Sequence, residues 1–137
     1  MTTPEPRTHL RINPHLCGHV LAVGEGTAQV GFLAEPEMAV DDRGLVHGGF
    51  VFGVADYAAM LAVNEPTVVL GASECRFLAP VQVGDSLEAR AVVLAEDGRK
   101  RQVKVEVLRG EALVLSGTFT CFVLERHVLE RDVPKSR

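Results

Sequence analysis

One carboxylate interrupts an otherwise apolar stretch: Asp56, set inside Phe50-Val51-Phe52-Gly53-Val54-Ala55-Asp56-Tyr57-Ala58-Ala59-Met60-Leu61-Ala62-Val63. A lone carboxylate is costly to bury unless it is paired or hydrogen-bonded, and Asp is among the poorer helix formers. The chemistry open to such a residue is nucleophilic attack or general-base work. A salt bridge, or a partly exposed face at an interface, is the bland alternative. Directly upstream stands His47-Gly48-Gly49. Glycine leaves the first-turn amides of a helix uncovered, so a ligand atom can approach the backbone. Those amides have no partner within the helix and sit at the positive end of its macrodipole. A carbonyl docked on them would be polarised and its developing oxyanion stabilised. Without a ligand, Gly-Gly is a tight turn into a helix and nothing more.

Asp56 lies seven residues after Gly49, so the two project on a similar side of a helix, roughly 10 Å apart along its axis. One chain cannot easily place both on the same carbonyl. Two antiparallel copies of the helix can. The spacing therefore predicts a two-fold dimer with two composite sites.

These residues need elements to position them. His19 to Val23 reads as a strand, Gly24-Glu25-Gly26 as a tight turn and Thr27 to Leu33 as a second strand. Ala34 to Val46 reads as an irregular loop, and Gly48 to Val63 as a helix buried on most faces. Pro66 disfavours helical geometry just before it and marks the stop. Four strands follow, over Val68 to Phe77, Asp85 to Leu94, Gln102 to Leu108 and Leu113 to Leu124. Gln102 to Val107 alternates strictly, so one of its faces is wet and the other buried. The expected architecture is α+β, an antiparallel sheet of about six strands curled around one central helix. Residues 1–13 read as a loosely ordered N-terminal arm, 14–127 as one domain and 128–137 as a charged tail.

The length of 137 residues suits one domain. A formal net charge of -4 and the absence of Trp argue against nucleic-acid partners, which call for basic footprints and stacking platforms. Cys17, Cys75 and Cys121 are odd in number and far apart, so neither a disulfide framework nor a zinc site is expected. His15 and His19 could share a helical face, but no acidic or Cys partner is near, and no metal is expected. No apolar run reaches the ~20 residues of a membrane span, and residues 1–11 contain no signal-peptide h-region. The cytoplasm is the expected location.

Three stretches carry a family resemblance. They are Gly44-Leu45-Val46-His47-Gly48-Gly49 with Val54-Ala55-Asp56, then Ser73-Glu74-Cys75-Arg76-Phe77-Leu78-Ala79-Pro80 with Val83-Gly84-Asp85, and the basic turn Gly98-Arg99-Lys100-Arg101. Over roughly Asn13 to Leu124 the chain resembles the hotdog-fold thioesterases, particularly the phenylacetate-pathway (PaaI-like) branch. The resemblance implies hydrolysis of a small or medium acyl or aryl thioester of coenzyme A. It implies Asp56 as nucleophile or general base, Gly49 with Gly48 as the polarising amides, and His47 as an orienter of loop or substrate. Relatives often carry Asn or Gln six residues before the His; here that position is Asp41, with Asp42 beside it. Arg76, Arg99, Lys100 and Arg101, with Lys104, are candidates for the CoA phosphates, against the alternative of a solvated hairpin turn. Tyr57 and Met60 are expected at the interface or along the acyl pocket, and Cys75 in the core. Coenzyme A enters as part of the substrate, so no separate cofactor is implied. Self-association as a homodimer or a dimer of dimers is. A non-catalytic acyl-CoA sensor and a hotdog dehydratase or hydratase are the competing readings.

Overall fold

A computed structural model describes residues 4–130, and the charged tail expected over 128–137 lies outside them beyond Glu130. The elements are α1 (Pro14–Cys17), β1 (His19–Gly24), β2 (Thr27–Leu33), α2 (Gly48–Val63), β3 (Val68–Phe77), β4 (Ser86–Asp97), β5 (Lys100–Arg109) and β6 (Ala112–Val123). Single 3₁₀ turns occupy Pro36–Met38 and Val128–Glu130. All strands pair antiparallel in one sheet of order β1-β2-β4-β5-β6-β3. No helix among the described residues is long and apolar enough to cross a membrane.

The sheet wraps around α2. Along β5, Val103, Val105 and Val107 are fully buried and alternate with outward Gln102, Lys104 and Glu106, as the strict alternation predicts. In register with Val105 stand Gly117 on β6 and Ala91 on β4, with Ala28 beyond it on β2. Small side chains in this row leave room for the helix, whose Val54, Ala55, Ala58, Ala59 and Leu61 have no exposure. Each fully buried aliphatic side chain contributes about 1.5–3 kcal/mol, so the helix–sheet contact contributes substantially to stability. Asn64 ends α2 in a left-handed conformation (φ 54°) with its amide on the Met60 carbonyl, and Pro66 follows.

Two features depart from the expectation. The short helix α1 was not foreseen; Asn13 caps it by accepting from the His15 amide at 2.9 Å, and Pro14 takes its first position. His15 and His19 consequently fall in different elements, α1 and β1, and share no helical face. The described part of the arm is docked, not loose. The Arg7 amide donates to Asn64 Oδ1 at 2.7 Å, Asn64 Nδ2 donates to the Glu5 carbonyl at 2.8 Å, and Thr8 is only 4% exposed. The arm thus runs from the C-terminal end of α2 to α1.

Gly18 joins α1 to β1 at φ +96°, and a Cβ there would meet the Gly31 carbonyl oxygen and Val30 Cγ1 at 2.7 Å and Val54 Cγ2 at 3.0 Å. Both the dihedral and the close approach require glycine. Gly18→Ala is expected to destabilise the fold by about 1–3 kcal/mol. An unshifted urea midpoint would show that α1 is not seated on α2 in this way.

Candidate functional site

Asp56 sits midway along α2, between the fully buried Ala55 and the buried Tyr57. Its Oδ1 is buried and accepts no hydrogen bond, alone in this among buried side-chain polar atoms of the described residues. Most buried polar atoms are satisfied, so an orphaned carboxylate oxygen marks a place where a ligand or water is owed. Burial pushes its pKa from 3.8 up to about 6. The same burial, with the Asp56 charge added, raises the thiols of Cys17 and Cys121, the latter to about 12. Both thiols therefore stay protonated at neutral pH and are poor nucleophiles.

Asp56 opens into a pocket of about 420 Å³. Its floor is made by buried Met60, Thr8 and Val68, and its mouth by exposed His9, Pro66 and His127. Met60 lies one turn after Asp56 on the same helix face and lines the same pocket. Val68, Val69 and Leu70, at the start of β3, form one wall. Strand β3 pairs only with β6 and so forms an edge of the sheet. Its central residues, Gly71 to Glu74, are all exposed. An edge ten residues long with unpaired backbone groups is a ready template for another chain.

The loop before α2 is organised by Asp41. Its Oδ1 accepts from the amides of Arg43 at 3.0 Å and Leu45 at 3.1 Å, a side-chain-closed turn. The His47 amide donates to the Met38 carbonyl at 3.1 Å, and the Phe50 amide to the His47 carbonyl at 3.1 Å. Gly48 and Gly49 hold first-turn amides that have no acceptor within the helix. A Cβ on Gly49 would meet the His47 ring at 3.0 Å, and one on Gly48 the Phe77 ring at 3.6 Å. The helix start is thus bare backbone flanked by the His47 and Phe77 rings.

Within one chain these parts do not converge. Asp41 lines a different depression, with Arg43, Gln82 and Arg109, and the Gly48–Gly49 turn is about 10 Å along the helix from Asp56. Arg76 stands opposite Ser116, which in turn stands opposite Glu106 on the outward face of β5. In the basic turn, Arg99 is paired with Glu125, and Arg101, 16% exposed, approaches Glu96 at 3.4 Å and donates to the Gly98 carbonyl at 2.7 Å. These contacts tie the Arg101 guanidinium to the hairpin and the Arg99 guanidinium to the segment that follows β6. Lys100 opens β5 as an exposed side chain, and neither it nor Arg76 forms an ion pair among the described residues. Thr8, His9 and His127 are pocket residues that sequence pattern did not reveal. Nothing in their spacing signals a site, because only the tertiary path of the two terminal segments brings them to Asp56.

A sheet of six antiparallel strands wrapped on one long helix is the hotdog fold. The chain belongs to the thioesterase superfamily, whose family model matches residues 43–116, more than half of its length. The structure of an uncharacterized protein from Pyrococcus horikoshii is 54% identical, with a TM-score of 0.93, covering 95% of this chain and all of that one. An Asn-to-Asp mutant of the phenylacetic acid degradation protein PaaI from Thermus thermophilus is 33% identical, with a TM-score of 0.73, covering 80% of this chain and 95% of that one. Among curated relatives, the chain is 48% identical over 120 residues to the methylthioribose-1-phosphate isomerase of Aquifex aeolicus, matching 87% of this chain but 26% of that protein. It is 30% identical over 87 residues to the transcription factor FapR of Caldanaerobacter subterraneus, matching 64% of this chain and 44% of that protein. The chain thus spans about a quarter to under half of the length of these two relatives.

Proposed function

We propose that the protein hydrolyses acyl or aryl thioesters of coenzyme A in the cytoplasm, at a site shared by two antiparallel copies of α2. The observation that carries this reading is the orphaned, buried carboxylate of Asp56 in an open pocket beside an unpaired strand edge. Pairing β3 with β3 of a second copy satisfies that edge and stands the second subunit next to the pocket. The Gly48–Gly49 amides of one subunit then polarise the thioester carbonyl, and Asp56 of the other acts on it directly or through a water. Water adds to the carbonyl carbon, the C–S bond breaks, and the thiol leaves with the proton. His47 flanks the carbonyl, and Asp41 holds the loop that presents it. Arg76 and Lys100, with Arg99 and Arg101 once freed from their weak surface ion pairs, serve the CoA phosphates.

Either role for Asp56 requires the ionised form, and a pKa of about 6 makes that form dominant at pH 7 while keeping it basic. CoA release from a panel of aryl, short-chain and long-chain acyl-CoAs tests the reading. Saturable turnover is expected, with kcat/KM rising on an acid limb centred near pH 6. A limb near pH 4 would mean that burial of Asp56 does not govern the chemistry.

A non-catalytic acyl-CoA sensor is the second reading, favoured by the similarity to a transcription factor and by an Asp41 side chain committed to its own turn. Binding across the panel without CoA release would move that reading to the front.

A further inference from the structure

The arm that precedes α1 supplies part of the Asp56 pocket. We propose that His9 is a specificity-determining residue, an imidazole wall that limits how long an acyl group the pocket accepts. The proposal rests on the reading of that pocket as the acyl site, and four observations support it. Thr8 and His9 line the pocket together with Asp56 and Met60. Thr8 is the buried polar residue of the described core, and its Oγ1 is 2.8 Å from His9 Nδ1, so the ring is held from behind. The Tyr57 ring backs it, with centroids 6.3 Å apart.

The third observation is backbone strain. His9 has φ +55°, a left-handed conformation uncommon in residues other than glycine. Such strain persists only where the surroundings over-determine it. Here the Ile12 amide binds the His9 carbonyl at 3.2 Å, and the arm is pinned to Asn64 on one side and to α1 on the other. The chain is held in an unfavourable conformation where doing so sets the ring at the pocket mouth. The fourth is a second imidazole on the same pocket, His127, whose Nδ1 accepts from the Leu129 amide at 3.0 Å. Exposed imidazoles from both terminal segments therefore line the pocket, with Met60 and Val68 buried beneath. An apolar tail entering past Asp56 gains contact with that floor until it reaches the His9 ring.

His9→Gly tests the proposal without threatening the fold, because glycine adopts φ +55° freely. The probes are S-alkyl-CoA thioethers with tails of two to twelve carbons, which cannot be hydrolysed, with tail-free CoA as reference. For the wild type, affinity should rise about fourfold per methylene and then level off. In His9→Gly the rise should continue to longer tails, with at least a tenfold gain for the longest and no change for CoA itself. Leu10→Gly, at an exposed neighbouring position, loosens the arm equally and should keep the wild-type profile. A shared plateau in wild type and His9→Gly would overturn the proposal. So would the same shift in Leu10→Gly, or a wild type that binds no thioether better than CoA. Turnover plays no part in this readout. A silent hydrolysis assay with a His9-dependent length profile sinks the catalytic reading alone, and active hydrolysis with an unchanged profile sinks this one alone.

Discussion

Asp56→Asn is expected to lower CoA release by about 10²–10⁴-fold, the range associated with losing a positioned acid–base group, while making the protein more stable at neutral pH. The two effects share one cause. The Asp56 carboxyl titrates at about 6 in the folded chain, above its ordinary 3.8. A raised acid pKa means that the folded state holds the proton more tightly than the unfolded one. Its contribution is thus fully present below about pH 4 and lost as pH rises through about 6. The difference of about two pKa units corresponds to at most about 3 kcal/mol. Asn stays neutral throughout, so the variant should match wild type at pH 4 and exceed it above pH 6. Urea midpoints at several pH values, at one protein concentration, check this beside the activity assay. An inactive variant that is also less stable at pH 7 would show that Asp56 holds the fold together and would remove the link from costly burial to function.

Co-expression of Asp56→Asn with Gly49→Val should restore activity that neither variant has alone. Valine at Gly49 would crowd the His47 ring, 3.0 Å from where its Cβ would stand, and would cover the amides proposed to polarise the carbonyl. Losing such a donor costs about 10²–10³-fold. In a mixed two-fold dimer one site collects both defects and the other has neither. With random assortment half of the dimers are mixed and half of their sites are intact, so about a quarter of wild-type activity should return. A site completed within one chain would show no recovery at any mixing ratio. Recovery that grows with protein concentration would further tie activity to assembly.

Much of this molecule was legible in the chain, and the reasons are physical. Helix α2 is readable because its apolar run is bounded by Gly-Gly and by Asn64-Glu65-Pro66, and the strands because turns at Gly24–Gly26, Gly98 and Gly110, with Pro80 and Gly84 after β3, bound them. Asp56 stands out because a charge in an apolar helix is costly to bury, although a salt bridge or an exposed interface face would account for it equally well from sequence alone. The arm did not stand out. Its docking depends on Asn64 presenting a side chain to Glu5 and Arg7 across almost sixty positions, and no periodicity encodes such a contact. The signal for α1 was present, Asn13 followed by Pro14, but four residues offer no periodicity to confirm it. The basic turn was visible as charge, whereas the pairing of Arg99 with Glu125 and of Arg101 with Glu96 appears only once the hairpin and the end of β6 are placed.

The convergence of both terminal segments on one pocket has a practical side. Thr8 and His9 come from one end of the chain, His127 and Val128 from the other, and all four line the same opening. A handle or domain inserted directly before Thr8 or after Val128 would be tethered beside that opening. A tether holds its cargo at an effective concentration that can reach the millimolar range, enough for a weakly bound peptide to compete with a diffusing substrate. The placement of these two segments therefore offers a simple means of coupling the pocket to a domain attached next to them.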